Sequence, residues 1–346
     1  MAKYCFIGDG GAGCRILDSI LNINDGYNGY YVNSNGNEVK VLDNATNNNS
    51  IIMDKLGMGA NRDRDKAKNS YKADQGKIIN FFSDRISDYD CAFIFTSSNG
   101  GWGSGTTFLL AEDLKTMNPR IKISLVATLP KQNASKTELV NTLQFYNELM
   151  DCKYIDSYIY VDNNKMKDEE KFNNIVAEYI LDSIEFQYSV IDENDILSLN
   201  TSKGYKTILK LNPSIDDIED AIEYEKQQTP FILPKNILLG SIALISVDKE
   251  VYNKSEIEDK FNVRDFIKSD YNELDLNLIC VSGCIRPTKP FKDFEVRYNE
   301  IKNVDSEFEQ EFFKSTVTNN KTVEEEYEPT KILNKRELRR RLKGRL

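Results

Sequence analysis

The sequence contains no histidine. That absence removes the Ser-His-Asp triad, the Cys-His dyad and every histidine-ligated metal centre. Chemistry must come from carboxylates, amides, backbone groups or a bound ion. Cysteine is sparse: Cys5, Cys14, Cys91, Cys152, Cys280 and Cys284 are scattered through apolar strands and turns, not paired at metal-ligand spacings. They are expected to be reduced, structural thiols, and no side-chain metal cluster is expected. Long apolar runs are missing too. The most apolar stretch, 237–247, is too short to cross a bilayer, which takes about 20 residues, so no membrane span is expected. The start, residues 1–8, is a strand-like run reaching glycine at once, without the charged and apolar regions of a secretory signal; a cytoplasmic location is expected. Net positive charge is absent as well. Lys and Arg number 45 against 55 Asp and Glu, a formal charge of −10, and such a body would be repelled by a phosphate backbone. What remains is an ordinary globular composition, 40% apolar and 29% charged over 346 residues, enough for two domains or one large domain with a smaller one attached.

Residues 3–7 read as a buried strand, followed by a glycine-rich turn and the helical pattern Ile16, Leu17, Ile20, Leu21. Similar units recur, with strands expected at 30–33, 91–96, 121–129 and 158–161. Strands alternating with helices predict a parallel sheet covered on both faces. Right-handed crossovers put the connecting loops at its carboxyl edge, where ligands bind in such sheets. From 168 to 186, Phe172, Ile175, Val176, Tyr179, Ile180 and Ile184 fall at helical spacing without glycine or proline, which predicts one long helix joining two domains. Residues 205–302 then offer strands at 207–211, 237–247 and 276–282 and a helix at 215–227, as a second, smaller α/β domain would. The expected organisation is a nucleotide-binding domain over 1–167, a central helix over 168–190, the smaller domain over 191–302, and a C-terminal helix and basic tail over 303–346.

Gly8-Asp9-Gly10-Gly11-Ala12-Gly13 lies between a strand and a helix, where glycine lets backbone N–H groups approach phosphate oxygens and the helix N-terminus adds favourable partial charge. Alone, the loop is weak evidence: a dinucleotide loop has a similar look, and a glycine-rich strand–helix turn can also stand without a ligand. A second loop, Ser97-Ser98-Asn99-Gly100-Gly101-Trp102-Gly103-Ser104-Gly105-Thr106-Thr107, again follows a buried strand and enters a helix. Two phosphate cradles in one sheet exceed what a dinucleotide fold needs, and neither ends in the Lys-Ser/Thr of a P-loop.

These residues resemble the tubulin/FtsZ superfamily of GTP-dependent filament proteins, most closely its divergent plasmid and phage members of the TubZ-like type. Asn99-Gly100-Gly101-Trp102-Gly103-Ser104-Gly105 resembles that family's GGGTG[ST]G signature with two substitutions. Gly10-Gly11-Ala12-Gly13, with Cys14 after it, resembles its first phosphate loop. Gly57-Met58-Gly59-Ala60-Asn61 resembles its γ-phosphate-sensing segment, and Asp162-Asn163-Asn164-Lys165 occupies the place of its guanine-reading motif. The resemblance implies a tubulin/FtsZ-like fold with a Rossmann-like GTPase domain, GTP or GDP with Mg²⁺ as cofactors, Asn163 on the base, Phe172 beside the ring and 130–133 as a ribose-side loop. It further implies that Asp192 and Asp195, at the family's Asp-x-x-Asp spacing, enter the nucleotide site of the next subunit in a head-to-tail filament and polarise the attacking water there. The chain departs from the pattern at Asn99, Trp102, Arg15, Asn35 and Val190. Trp102 is expected either to cover the phosphates or to pack under its loop.

Two other readings stand beside this one. The first is an NAD(P)-dependent oxidoreductase built on Gly8–Gly13 alone, which leaves the second loop unexplained and finds Asn33 and Asn35 where an acidic ribose-binding residue belongs. The second is a GTP-binding regulator of the same fold that neither polymerises nor hydrolyses. From Lys331 onward the tail is basic, with Leu338, Leu342 and Leu346 four residues apart. It reads as a solvated end, as a docking segment for a neighbouring subunit or a DNA-bound adaptor protein, or as a contact for nucleic acid or an anionic membrane. The resemblance implies plasmid partition or positioning of phage DNA as the task.

Overall fold

Tyr4–Asp9 is buried at every position, the signature of a strand covered on both faces of a parallel sheet. In the computed structural model, which describes residues 2–53, 59–185, 191–248, 251–269 and 277–319, this run is β1. The other strands are β2 (Asn28–Asn33), β3 (Ser50–Ile52), β4 (Cys91–Ser97), β5 (Lys122–Leu129), β6 (Ser157–Asp162), β7 (Gly204–Lys210), β8 (Leu239–Ser246), β9 (Asn262–Ser269) and β10 (Leu278–Cys284). The helices are α1 (Gly10–Ile23), α2 (Gly36–Lys40), α3 (Arg64–Ala73), α4 (Gln75–Phe82), α5 (Trp102–Met117), α6 (Lys136–Asp151), α7 (Glu169–Asp182), α8 (Glu193–Thr201), α9 (Ile218–Gln228), α10 (Lys254–Glu258) and α11 (Lys289–Asn319).

The strands form one sheet in the order β3-β2-β1-β4-β5-β6-β7-β10-β8-β9. Every pair from β3 to β7 is parallel, β10 is antiparallel to both its neighbours, and β8 and β9 are parallel. The region expected as a smaller domain therefore continues the first sheet: β7 joins β6 through Ser157↔Gly204 and Tyr158↔Tyr205. The chain divides instead into residues 1–298, which hold the whole sheet, and residues 299–346, of which 299–319 are helical. No described helix is long and apolar enough to cross a membrane, and the six cysteines are free, five of them buried.

The apolar stripe of α1 works as its spacing predicts. Ile16, Leu17 and Ile20 are at most 1% exposed, and burying each stabilises the fold by roughly 1.5–3 kcal/mol. α7 packs beside α1 and runs the same way: Arg15 pairs with Glu169 at 2.6 Å near both starts, and Asn24 donates to Glu185 at 2.7 Å just past both ends. It starts where Asp168 accepts from the N–H of Lys171. It ends at Asp182, short of the expected 186–190, because Ser183 turns its hydroxyl onto the Ile180 carbonyl at 2.7 Å and gives its own carbonyl to Asn200 Nδ2 at 2.9 Å. Residues 186–190, Val190 among them, lie outside the described residues. The expected helix at 215–227 begins at Ile218, where Asp217 caps two backbone N–H groups.

Asn200 is also held from β7. Lys206, wholly buried, donates through Nζ to Asn200 Oδ1 at 2.5 Å and lies 5.1 Å from the centre of the Phe93 ring. Among the described residues no carboxylate pairs with it, and burial lowers its pKa from 10.5 to about 8. A folded value below the unfolded one means that the unfolded chain keeps a proton the native state has released. The penalty is complete below pH 8 and fades as pH rises toward 10.5. Lys206→Met should abolish this slope: the wild-type-minus-variant difference in urea unfolding free energy is expected to change by about 3 kcal/mol across that interval. A difference that stays constant with pH would show that burial leaves the Lys206 pKa at its unfolded value and that the amine stays charged in the core.

Candidate functional site

The chain leaves β1 toward β2 on one side, while β4, its other neighbour, leads on to β5. Beyond the carboxyl ends of β1 and β4 the connections diverge and leave a crevice, the ligand position of open α/β sheets. Here it is a cleft of about 460 Å³, within the size range of ligand sites. Gly10, Gly11, Ala12, Gly59, Ala60, Asn61, Asn99, Gly100, Gly101, Trp102, Gly103 and Asn163 line it, with Arg15, Asn33, Ser34, Asn35, Glu38, Arg62, Ser97, Thr128 and Glu138. Both glycine loops and the 59–61 segment thus meet at one place; Gly57 and Met58 lie outside the described residues.

The loops touch backbone to backbone. Gly10 has φ +79°, open to glycine at little cost, and a Cβ on Gly103 would stand 2.3 Å from both Asp9 O and Thr96 Oγ1. The first turns of α1 and α5 end in this contact, carry no acidic residue and have no side-chain cap. By contrast, α3, α6, α7, α8 and α9 are capped by Asp63, Ser135, Asp168, Asp192 and Asp217. Two helix N-termini with open N–H groups and uncompensated positive dipole ends suit a polyphosphate. Other groups are also waiting for partners: the buried Ser34 Oγ and Thr128 Oγ1, both on lining residues, make no hydrogen bond, a costly state that a ligand can relieve.

The far wall is strained and pinned. Asn61 and Arg62 both have positive φ, 50° and 59°, a conformation costing on the order of 1–3 kcal/mol per residue outside glycine. Asn141 holds them to the second loop, its Nδ2 lying within hydrogen-bond reach of the carbonyls of Arg62 at 2.9 Å, Gly100 at 2.9 Å and Asn99 at 3.2 Å. Burial alone would raise the pKa of Glu138. The N–H and hydroxyl of Ser135, the Arg62 guanidinium and the Asn99 amide outweigh it and hold the carboxyl below its ordinary value, so a hydroxyl-bearing ligand meets an anionic acceptor there.

Several expected site residues serve the cleft without lining it. Gly13 is packed on β4, where a Cβ would come 2.0 Å from Phe95 O. The Cys14 thiol is buried and donates to Gly8 O at 3.3 Å. Ser104 bonds the Gly100 carbonyl and offers its own to Arg64 Nη2 at 2.7 Å, and Gly105 presses against the Arg64 backbone. Phe172 lies on the buried face of α7 and does not line the cleft. Nor does 130–133: Thr128 before it and Glu138 after it do. Trp102 packs under its loop, 5% exposed, with its ring tilted on Tyr71 at a centroid distance of 6.4 Å. Glu138 was legible in part, since Ser135-Lys136-Thr137-Glu138 has the capping-box pattern that starts a helix just past a strand end. Arg62 and Asn141 carry no such signal.

Asp192 and Asp195 stand elsewhere. α7 carries the chain from the cleft edge to the opposite edge of the sheet, where Glu193 acts electrostatically on Tyr4, the first residue of β1. Asp192 is the N-cap of α8, and its Oδ1 accepts from the N–H of Asp195 at 2.9 Å. The Asp-x-x-Asp spacing thus also serves a local helix start. Neither carboxylate lines the cleft of its own chain.

A switch-point cleft with two open helix N-termini and the Asn163 amide on its wall has the form of a nucleotide site in an α/β protein. Residues 3–171 match the Tubulin/FtsZ family, GTPase domain, and that part of the chain belongs to the family. The tubulin-like protein TubZ of Clostridium botulinum C phage is 27% identical over 237 residues, which are 66% of this chain and 65% of that protein's own length. Among solved structures, Clostridium botulinum phage c-st TubZ lacking its C-terminal tail gives a TM-score of 0.75 at 24% identity over 89% of this chain and 98% of that one. A GTPγS-form protofilament of Bacillus thuringiensis serovar israelensis TubZ gives 0.73 at 15% identity over 90% and 94%. The fold is therefore tubulin/FtsZ-like throughout the aligned chain.

Proposed function

We propose that the chain is a GTPase that assembles head to tail into filaments, each junction completing the site of the subunit that holds the nucleotide. The observation that carries this reading is the separation of parts. The phosphate cradles and Asn163 lie at one edge of the sheet, and Asp192 and Asp195 at the other. Acids so placed can meet a γ-phosphate only on another copy, docked with its amino edge on this one's carboxyl edge. The Bacillus thuringiensis relative of the same fold forms a protofilament, which supports self-assembly.

The Asn33, Ser34, Asn35 and Glu38 corner supplies oxygen donors beside the phosphate loop, among them the unpartnered Ser34 hydroxyl. Among the described residues no cluster of three or more acidic or cysteine side chains could hold an ion alone. That donor set suits Mg²⁺ arriving with the nucleotide and keeping several waters, and the ion would neutralise charge on the β- and γ-phosphates. The protein's own contribution is to orient the triphosphate on the amides of α1 and α5, hold the base against Asn163, and bring a second chain's Asp192 and Asp195 to position the attacking water. We assign plasmid partition or phage DNA positioning as the task, a reading that the phage origin of one relative supports. The basic segment 331–346, outside the described residues, is the part we assign to a DNA-bound adaptor.

Phosphate release per molecule, followed with light scattering, should rise steeply above a critical protein concentration, because subunits without neighbours lack the acids. A specific activity independent of concentration overturns the reading. The same assay on chain 1–330 tests the tail: unchanged assembly with loss of adaptor binding is expected, and retained adaptor binding removes that assignment.

A further inference from the structure

Asp9 ends β1 with its side chain wholly buried, beneath the point where the glycine loops touch. It occupies the N-cap position of α1, where aspartate ordinarily accepts from its own helix, yet makes no such bond. The carboxyl turns to the neighbouring helix instead. Oδ2 lies 2.9 Å from Thr107 Oγ1 and 3.0 Å from Thr106 Oγ1. The same residue thereby leaves the α1 amides open and fastens the first turn of α5.

Counting protons decides its state. Thr106 Oγ1 is also 3.0 Å from Trp102 O, and Thr107 Oγ1 is 2.7 Å from Gly103 O. Each hydroxyl has one proton and faces two acceptors. A carboxylate leaves both contests unresolved, whereas a carboxylic acid donates to one threonine oxygen and lets that threonine satisfy its carbonyl. The surroundings offer no counter-charge. Cys14 faces Asp9 from α1, Tyr71 from α3, and the Trp102 indole from α5; among the described residues no lysine or arginine pairs with it. Burial raises its pKa to about 7, against the lowering effect of the two threonines and Trp102.

We propose that Asp9 is a positioning residue for the polyphosphate, a clasp that holds the two loops in register while its carboxyl carries a proton and releases them when the proton leaves. The ionised carboxyl is drawn to the positive N-terminus of its own helix, where it occupies the amides the ligand needs and repels phosphate. Binding thus takes up a proton above neutrality, and affinity falls with pH by at most about tenfold per unit. This rests on the cleft holding a guanine nucleotide.

The test is binding of a fluorescent GDP to the full chain from pH 6 to 8.5, GDP being chosen so that no γ-phosphate chemistry intervenes. Wild-type affinity should fall about tenfold from pH 7 to 8.5 relative to Asp9→Asn, whose amide reproduces the protonated clasp. Titration of the nucleotide's own phosphates cancels in that ratio. A wild-type-to-variant ratio that is constant with pH overturns the clasp alone, whereas no GDP binding at any pH overturns the nucleotide reading and the clasp with it. Thr107→Val, which removes one donor to the carboxyl, supplies a second check. Its midpoint should move to higher pH, and an unmoved midpoint overturns the proposal even if Asp9→Asn fails to fold.

Discussion

Chains carrying Asp195→Ala should bind GTP as wild type does, assemble, and release phosphate at least about 100-fold more slowly, the usual loss when a group that positions or activates a nucleophile is removed. Polymer should therefore outlive its wild-type counterpart. Asp195 is a cleaner probe than Asp192. The α8 cap is made by the Asp192 side chain to the Asp195 backbone N–H, so Asp195→Ala keeps the cap, whereas Asp192→Ala forfeits about 1 kcal/mol of it. Single-turnover phosphate release from preassembled filaments reads the effect directly. Wild-type turnover in the variant would take Asp195 out of the mechanism.

Gly103→Ala should cost at least about 100-fold in nucleotide affinity, since the new methyl would stand 2.3 Å from Asp9 O and Thr96 Oγ1 and two backbone loops must separate to admit it. Titration calorimetry with GDP measures the loss, and circular dichroism checks that the chain is folded. Gly76→Ala is the control: nothing lies within 4 Å of its Cβ, so affinity should stay unchanged while the helix gains about 0.5–1 kcal/mol. The variants can also be combined. A Gly103→Ala chain keeps its own Asp195, so adding it to Asp195→Ala filaments loaded with GTP should restore phosphate release at the ends it docks on. No restoration would count against hydrolysis shared between copies.

Much of the sheet was legible because its strands are local and their covering is complete. A strand buried on both faces reads as a near-continuous apolar run, as 4–8 and 91–95 do, and α1 repeats every three to four residues because one side of it faces that sheet. Helix ends were less legible. The α7 pattern runs on to Ile184, but the helix stops at Asp182 because Asn200, from another helix, takes the carbonyl of Ser183. α3 and α4 were missed: their mean composition is polar or short in period, and the residues they bury are Arg64, Ala67, Tyr71, Ile78 and Phe82.

By itself, the order of residues determined which groups could meet a phosphate. Glycine clusters placed after buried strands can hardly do otherwise than present their amides at a sheet edge, and the lack of histidine left carboxylates as the available acids. Only the tertiary structure decided how these groups are used. Strand order made β1 and β4 neighbours, so that two distant loops touch. The direction of α7 sent Asp192 and Asp195 to the far edge, away from their own cleft. Close packing of α5 on β1 turned Asp9 from a helix cap into a buried acid. Each depends on which segments lie side by side, a long-range property that no local spacing encodes.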